Sequence, residues 1–448
     1  MIELQQKIYI RLLNPLIRKV SVNMGEKRRK RTMIGGFLGL ILCIVFTTNI
    51  IPINAILRIC LCTLFLGISL LGATKIPLEL VNWNKKLLYP TYCFSLCFLI
   101  AGISTKSISY IAYAIIFGIV ILGFIFVWNN VKEYGMLFHS FSCALEISFY
   151  IVLLISVIFC PLGHGQYNSL FGNPNSLGCY ISTLVSTQIY LIEKECDNHR
   201  KRHLIILVIA IAFGLLSASR TTLICMGISL ILCGVYNYKK GKSCKEIVRK
   251  FLQLLLIIVL GYCIVSTCLK YGTNGIMHVE KKLFNKAYTL DSYVYAARYQ
   301  NQGTAQILKD RIEKGITNTD EIGSGRMDIW KKYLEKISFS AHKQENIAIG
   351  MIHGNPQYYY AHNVFLQLAY SAGALSGISF LFLIIMVFYY LYRHRNKEFT
   401  EERLFIYSGI GISVLTMLLS DGYLPYAYPT VLIFWIAASP LYHNMEER

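Results

Sequence analysis

Three side chains capable of acid–base or anion chemistry stand out in this otherwise apolar sequence. Arg220 lies in SASRTT, a small polar break between two apolar segments. Arg326 lies in GSGRMDIW, and His362 lies in YYYAHN just before another apolar segment. A guanidinium group forms paired hydrogen bonds with phosphate oxygens, and a neutral imidazole accepts protons. These residue types suit a reaction on an anionic substrate.

A fourth motif, GNPNSLG at 172–178, supplies Asn173 and Asn175 in a turn that leads into a helix. Each of the four motifs lies at or near a predicted helix start. Ser324, for example, is predicted to cap a helix that includes Arg326. Free N–H groups and the helix dipole make such ends favourable for anions. If the four helix starts and the two guanidinium groups lie close together, they would bind a diphosphate.

Each motif also has a purely structural explanation. A lone interfacial arginine such as Arg220 commonly anchors lipid phosphates, and Arg326 alone fits an exposed position on a surface helix. A boundary histidine commonly hydrogen-bonds to water or backbone, and GNPNSLG fits helix capping alone. Arg58 and Glu146 lie near the ends of apolar segments, where snorkelling towards headgroups is the simpler interpretation.

The elements that must position these residues are membrane helices. Of 448 residues, 55% are hydrophobic and 15% are charged, and the mean hydropathy is +0.48. Soluble domains average about 25% charged residues, so a soluble fold is excluded. The sequence contains twelve apolar runs long enough to cross a bilayer. They lie near 33–51, 53–73, 87–103, 107–128, 141–162, 176–192, 204–219, 221–236, 251–268, 363–392, 404–420 and 427–442.

The positive charge predicts the orientation of these helices. Of the 44 lysines and arginines, 28 fall in segments on one side of the predicted membrane, including both termini. Short cytoplasmic segments collect such residues, so both termini are predicted to be cytoplasmic. The same bias explains the net charge of +20 without nucleic acid as a partner. All four motifs are then predicted to lie on the outer face.

The chain therefore divides into four predicted parts. A basic cytoplasmic segment at 1–32 precedes nine transmembrane helices at 33–268. A large helical extracytoplasmic loop follows at 269–361, and three transmembrane helices with the cytoplasmic C-terminus occupy 362–448. The 14 cysteines lie almost entirely within or beside apolar runs, and no Cys/His group has zinc-ligand spacing. The sequence predicts neither a metal site nor a cofactor.

The four motifs resemble those of the O-antigen ligase and O-antigen polymerase family of bacterial glycan transferases. They are GNPNSLG, SASRT, GRMDIW and AHNVFLQ, and they occur in the family's order with the long loop before the last. The resemblance implies an all-α polytopic fold of about twelve transmembrane helices with a GT-C-like architecture. One departure is that the family's Gly-x-Gly before the histidine motif appears here as GMIHG, which adds His353 as a weak candidate.

The resemblance also implies an activity and its residues. The family transfers a glycan from a polyprenyl diphosphate to another sugar without a metal, in the cytoplasmic membrane. The resemblance implies that Arg220 and Arg326 bind the diphosphate and that His362 removes the proton of the acceptor hydroxyl. The active site that it implies lies on the extracytoplasmic face. Asn173, Asn175 and Asn363 are the further predicted substrate-binding residues.

The expected partners are an undecaprenyl-diphosphate-linked glycan donor, a sugar or glycolipid acceptor and the lipid bilayer. The expected reaction is a direct displacement with inversion at the anomeric carbon.

Two alternatives remain open at this stage. The acceptor differs between a polymerase and a ligase, and the sequence fits both. A transporter that flips lipid-linked oligosaccharide is the alternative from another class, and it would need charged residues along a path near the membrane midplane.

Overall fold

The structure, a computed structural model, describes residues 2–21, 24–49, 53–74, 77–160, 162, 166–272, 326–352, 355–419, 426 and 428–443. Within these ranges the chain forms long helices and one two-stranded antiparallel hairpin.

Eleven helices precede the long loop. Polar side chains start several of them: Asn54, Asn84 and Ser243 each accept a hydrogen bond from a first-turn N–H group. The helices are α1 (Ile2–Leu16), α2 (Glu26–Asn49), α3 (Ala55–Ala73), α4 (Lys85–Thr105), α5 (Ile108–Ile115), α6 (Leu122–Val131), α7 (Tyr134–Phe159), α8 (Pro174–Lys194), α9 (Asp197–Ser217), α10 (Arg220–Lys239) and α11 (Cys244–Thr267). Short π-helical turns extend α1 and α11 and join α5 to α6: Ile17–Ser21, Cys268–Gly272 and Ile116–Ile121.

The C-terminal part mixes short and long elements. The hairpin pairs Ile347 with Tyr359 and Ile352 with Asn355. The elements are α12 (Arg326–Lys336), β1 (Ile347–Ile352), β2 (Asn355–Tyr359), α13 (Val364–Ser371), α14 (Ala374–Arg393), α15 (Glu401–Leu419), α16 (Pro429–Ala438) and a final 3₁₀ turn (Ser439–Tyr442).

The membrane-spanning character is confirmed by the helices themselves. Among the described residues, nine helical segments are long and apolar enough to cross a bilayer: α2, α3, α4, α5–α6, α7, α10, α11, α14 and α15. Two more helices, α8 and α9, have 21 residues each. They are less apolar because α8 is rich in serine and threonine and α9 begins with DNHRKRH. The chain is an all-α polytopic membrane protein, and each predicted run falls mainly on helical residues.

Helix α8 lies at the centre of the bundle. Its residues from Ser176 to Leu191 are all buried, and it packs against α7, α9, α10, α15 and α16. Its hydroxyl groups are satisfied locally or across helices: Ser182 Oγ donates to Gly178 O at 2.8 Å, and Ser186 Oγ donates to Ser408 Oγ of α15 at 2.8 Å. A polar helix is tolerated here because neighbouring helices exclude lipid from it.

The predicted run 363–392 is two helices, α13 and α14, rather than one. The break falls at Gly373, whose φ of +90° is rarely adopted by residues with a side chain. A Cβ atom at this position would lie 2.5 Å from the carbonyl oxygen of Phe339. The close approach of the loop therefore requires glycine, and it leaves α13 as a short helix that begins at the His-Asn motif.

The described part of the long loop contains one helix, α12, as expected, and the hairpin, which the sequence analysis did not anticipate. Both pack on α13 through a small cluster of buried side chains: Tyr333, Ile347, Ala361 and Tyr370. The hairpin thus closes one side of the His-Asn motif.

Glu146 does not reach towards headgroups as the sequence suggested. It is 4% exposed, and its carboxylate lies 2.7 Å from His203 Nδ1 and 3.1 Å from Arg202 Nε. A buried carboxylate requires such partners because hydrocarbon cannot solvate it. The partners lie on α9, far from Glu146 along the chain, so the sequence analysis did not identify the pairing.

Candidate active site

The start of α8 is built by the GNPNSLG motif. Asn173 is the N-cap residue, and its Oδ1 accepts a hydrogen bond from the N–H of Ser176 at 2.8 Å. Pro174 occupies the first helical position, where a missing N–H costs nothing. The motif therefore ends a loop and begins the central helix, whose remaining first-turn N–H groups give this end a partial positive charge.

Arg220 is the first residue of α10, directly beside the start of α8. Ser219, the N-cap residue of α10, donates a hydrogen bond from Oγ to Asn175 Oδ1 at 3.0 Å. Gln166 Nε2 supports the preceding turn by donating to the carbonyl oxygens of Ser217 at 2.9 Å and Ala218 at 3.2 Å. Two of the predicted motifs are thus in direct contact, and both present a helix N-terminus at the same end of the bundle, here named the motif end.

Gly178 permits this close approach of α8 to α10. A Cβ atom at Gly178 would lie 1.8 Å from Thr222 Oγ1 and 3.5 Å from Ser219 Cβ. The first distance is far below van der Waals contact, so any side chain would force the helices apart. The glycine in GNPNSLG has a packing role that sets the position of Arg220.

Arg326 begins α12 and contacts the C-terminus of α15, at the motif end of the bundle. Its Nη1 donates a hydrogen bond to the carbonyl oxygen of Leu419, the last residue of α15, at 2.7 Å. A cation at this position satisfies an unpaired carbonyl and complements the negative end of the helix dipole.

The two arginines lie at similar depth because α10 and α15 are antiparallel neighbours. Tyr236 OH contacts Glu401 Oε1 at 2.5 Å near one end, and Cys225 Sγ lies 3.8 Å from Thr416 Oγ1 near the other. Arg220 lies five residues before Cys225, and Leu419 lies three residues after Thr416. From the rise per residue of an α-helix, Arg220 lies ~7 Å and Leu419 ~5 Å beyond the contact between Cys225 and Thr416, in the same direction.

His362 immediately precedes the N-cap of α13. Asn363 is the cap, and its Oδ1 accepts hydrogen bonds from the N–H groups of Phe365 at 3.0 Å and Leu366 at 3.2 Å. His362 itself has a φ of +50°, a left-handed conformation that few residues with a side chain adopt. Backbone strain of this kind persists only where surrounding contacts hold it.

Those contacts come from α12 and from Gln367. Trp330 Nε1 donates to the carbonyl oxygen of Ala361 at 2.7 Å, and the N–H of Ala361 donates to Gln367 Oε1 at 3.0 Å. Tyr333 OH, which is buried, lies 2.8 Å from the carbonyl oxygen of Tyr359 and 3.1 Å from Gln367 Oε1. The residue before His362 is therefore fixed on both its N–H and its carbonyl.

The same helix α12 links Arg326 to His362. Trp330 lies one turn after Arg326, and it contacts the residue that precedes His362. One turn of helix advances ~6 Å, so the two predicted site residues lie near each other at the motif end.

Residues 205–382 match the family model described as O-antigen ligase. The matched segment covers less than half of the chain and is similar to the O-antigen ligase family. It begins within α9 and ends within α14, so it includes Arg220, Arg326 and His362, whereas Asn173 and Asn175 precede it. The match confirms the resemblance for the three motifs that it includes, SASRT, GRMDIW and AHNVFLQ, and it supports glycan transfer of the ligase or polymerase type. No curated protein matches the chain significantly.

The matched segment and α8 together place several helix N-termini and two arginines at one end of the bundle. The N-termini of α8 and α10 adjoin, and Arg326 and the start of α13 reach the same end through α12 and α15. The three asparagines predicted to bind substrate use their Oδ1 atoms within the protein: Asn173 and Asn363 as caps and Asn175 as the acceptor for Ser219. A role of these side chains in substrate binding stays a prediction.

Sequence reasoning missed the residues that position His362. Trp330 and Gln367 entered it only as the last letters of GRMDIW and AHNVFLQ, and Tyr333 belongs to none of the four motifs. Their hydrogen bonds join elements more than 25 residues apart, which no local spacing reveals. The further candidate His353 and the predicted cap Ser324 lie outside the described residues.

Gly178→Ala tests whether the α8–α10 contact sets the position of Arg220. The new methyl group would clash with Thr222 Oγ1 and displace the start of α10, and a displacement of about 1 Å in a reacting site can cost about 100-fold in rate. We expect glycan transfer by the purified variant to fall by that order while the amount of protein in the membrane changes little.

Gly227→Ala is the matched control, because Gly227 lies on α10 and a Cβ atom there would meet nothing within 4 Å. The double variant Gly178→Ala/Thr222→Ala should recover part of the lost activity. Equal activity of Gly178→Ala and Gly227→Ala would contradict the packing role.

Proposed function

We propose that the protein transfers a glycan from a polyprenyl-diphosphate-linked donor to a sugar hydroxyl at the outer face of the cytoplasmic membrane. The observation that supports this most is the joining of the family's two arginines and its histidine at one end of the bundle, through α8, α10, α12 and α15. The positive bias of the opposite end supports the assignment of this end to the outer face.

The donor's diphosphate is the group that this geometry suits. Arg220 begins α10, where its guanidinium and the helix N-terminus both favour negative charge. Arg326 lies at a similar depth, at the end of α15. As the anomeric C–O bond breaks, negative charge grows on the diphosphate, and fixed positive groups stabilise that charge more than they stabilise the substrate.

His362 is the proposed general base. The left-handed backbone at His362 is held by Ala361 on one side and by the capped start of α13 on the other, so the imidazole is attached to a rigid point. In the proposed reaction it removes the proton of the acceptor hydroxyl as that oxygen bonds to the anomeric carbon. The polyprenyl diphosphate leaves with the bonding electron pair.

A single base and a good leaving group suit one direct displacement, which inverts the configuration at the anomeric carbon. Neither a cofactor nor a metal takes part in the proposed reaction. A polymerase and a ligase share these steps and differ in whether the acceptor is a second lipid-linked glycan or another lipid or envelope anchor. Both remain within the proposal.

The transporter alternative is less well supported by the described residues. The candidate ligands Arg220, Arg326 and His362 lie at one end of the bundle rather than along a path through it. The buried carboxylate of Glu146 lies near the middle of α7, where it is paired with Arg202 and His203 of α9. A flippase would be expected to carry further charged residues along the path between this position and the proposed site.

Lysine substitution separates diphosphate binding by Arg326 from helix capping. A lysine in its place could still donate a hydrogen bond to the carbonyl of Leu419, but it lacks the planar fork that binds two phosphate oxygens. We expect Arg326→Lys and Arg220→Lys each to lose at least about 1.4 kcal/mol of transition-state stabilisation, a tenfold fall in kcat/KM. The thermal unfolding temperature of Arg326→Lys should change little.

Lys106→Gln provides the control, since Lys106 is a cation at the end of α4 outside the proposed site. Near-normal transfer by both arginine variants at normal protein levels would rule out the diphosphate role. A loss of activity accompanied by a large loss of thermal stability would instead indicate capping.

His362→Asn tests the general base with little backbone strain, because asparagine adopts the left-handed conformation more readily than most residues. His362→Gln keeps a longer hydrogen-bonding side chain that likewise cannot accept a proton at neutral pH. General-base catalysis is worth about 100- to 10,000-fold, so both variants should lose transfer by that factor. Equilibrium binding of the lipid-linked donor should be retained, because the arginines are unchanged.

Activity of either variant within a few-fold of the wild type would show that His362 only orients the acceptor. A loss of donor binding would place His362 in the diphosphate site instead of at the acceptor.

A further inference from the structure

A second cluster of chemically active side chains lies at the end of the bundle opposite the proposed site, which the charge bias predicts to be cytoplasmic. It joins α7, the end of α8 and α9. Among the described residues, His139, Cys143 and Glu195 are the one set of His, Cys and acidic groups whose ligand atoms all lie within 4.8 Å of one another. The sequence analysis found no such group, because Glu195 is more than 50 residues from Cys143.

The three side chains converge from two directions. His139 and Cys143 lie four residues apart on α7 and so share one helix face. Cys143 Sγ is 3.6 Å from His139 Nδ1 and 3.8 Å from Nε2, and His139 Nε2 is 2.9 Å from Glu195 Oε1. In a tetrahedral zinc site, bonds of about 2.0–2.3 Å place neighbouring ligand atoms roughly 3.3–3.8 Å apart. The present spacing needs only a small adjustment to admit an ion.

A second layer of residues holds the carboxylate of Glu195. Its Oε2 lies 3.1 Å from Nε2 of His203, which is fully buried. His203 Nδ1 lies 2.7 Å from the carboxylate of Glu146, and Arg202 contacts the same carboxylate at 3.1 Å. Metal ligands are commonly oriented by such hydrogen-bonded partners, which also tune affinity.

A hydrogen-bonded ion-pair network is the simpler explanation for the carboxylates and histidines alone. It gives no role to Cys143, because a thiol is a weak hydrogen-bond donor and acceptor. A thiolate beside an imidazole and a carboxylate is instead a set of ligands for a borderline divalent metal. A cytoplasmic position also keeps the thiol reduced and available.

We propose that His139, Cys143 and Glu195 bind a divalent transition-metal ion of the zinc class, with water as the fourth ligand and His203 as the partner that orients Glu195. Binding replaces the thiol proton of Cys143, which passes to solvent, with the metal–sulfur bond. Magnesium and calcium are excluded by ligand type, since they require oxygen ligands.

The ion would connect α7 to the α8–α9 turn, and it takes no part in glycan transfer. Helix α8 has 21 residues, so Asn173 and Glu195, which flank it, lie about 30 Å apart along the helix. The outcome of a metal-binding test therefore does not depend on whether the proposed function is correct.

The test is metal binding by the full-length protein, purified in detergent with a tag that contains no histidine. Elemental mass spectrometry should find about one zinc per chain after growth with zinc. The protein stripped with a chelator should bind Co²⁺ with near-ultraviolet absorption from a cobalt–thiolate bond. His139→Ala and Cys143→Ser should abolish both signals, and His203→Ala should weaken Co²⁺ affinity about 10- to 100-fold.

Cys160→Ser is the matched control, because Cys160 is a buried cysteine at the other end of the same helix, α7. It should retain both signals. Wild-type protein that holds no zinc and gives no Co²⁺–thiolate absorption would overturn the proposal without reference to any variant. Equal metal content in the wild type and in a folded Cys143→Ser variant would overturn it as well.

Discussion

The cost of placing charge and unpaired backbone groups in hydrocarbon governs where this molecule can do chemistry. A membrane helix satisfies its interior N–H and carbonyl groups itself, and only its ends present unpaired ones. The motifs exploit those ends: Arg220 begins α10, Asn173 caps α8, and Asn363 caps α13 directly after His362. Anion binding and helix termination are thus two consequences of one constraint.

Bringing separate helix ends together requires close packing that the lipid does not drive. Small residues provide it, because they let backbones approach closely. Because Gly178 has no side chain, Thr222 of α10 can pack directly against α8. In the same way, the backbone of Phe339 packs against Gly373, at the break that separates α13 from α14. Tyr333 and Gln367 then connect the loop helix to the His-Asn motif through buried hydrogen bonds. Positioning thus depends on a few polar contacts where helices already touch.

Much of this arrangement could be predicted from sequence because hydropathy and charge bias report directly on the membrane. The twelve apolar runs and the four motifs are local patterns, and the family match over residues 205–382 confirms the resemblance of the three motifs within it. The break at Gly373 and the hydrogen bond from Ser219 to Asn175 were not predictable, since each depends on a partner distant in the chain. The cluster of His139, Cys143 and Glu195 escaped for the same reason.

The central claim is that polyprenyl diphosphate is the leaving group in a glycosyl transfer. The most direct measurement reconstitutes the purified protein in liposomes with a polyprenyl-diphosphate-linked glycan and an acceptor, and it follows lipid and glycan products together. The account predicts one molecule of polyprenyl diphosphate released for each glycosidic bond formed. Release of polyprenyl monophosphate, or movement of intact donor between leaflets with no new glycosidic bond, would contradict it.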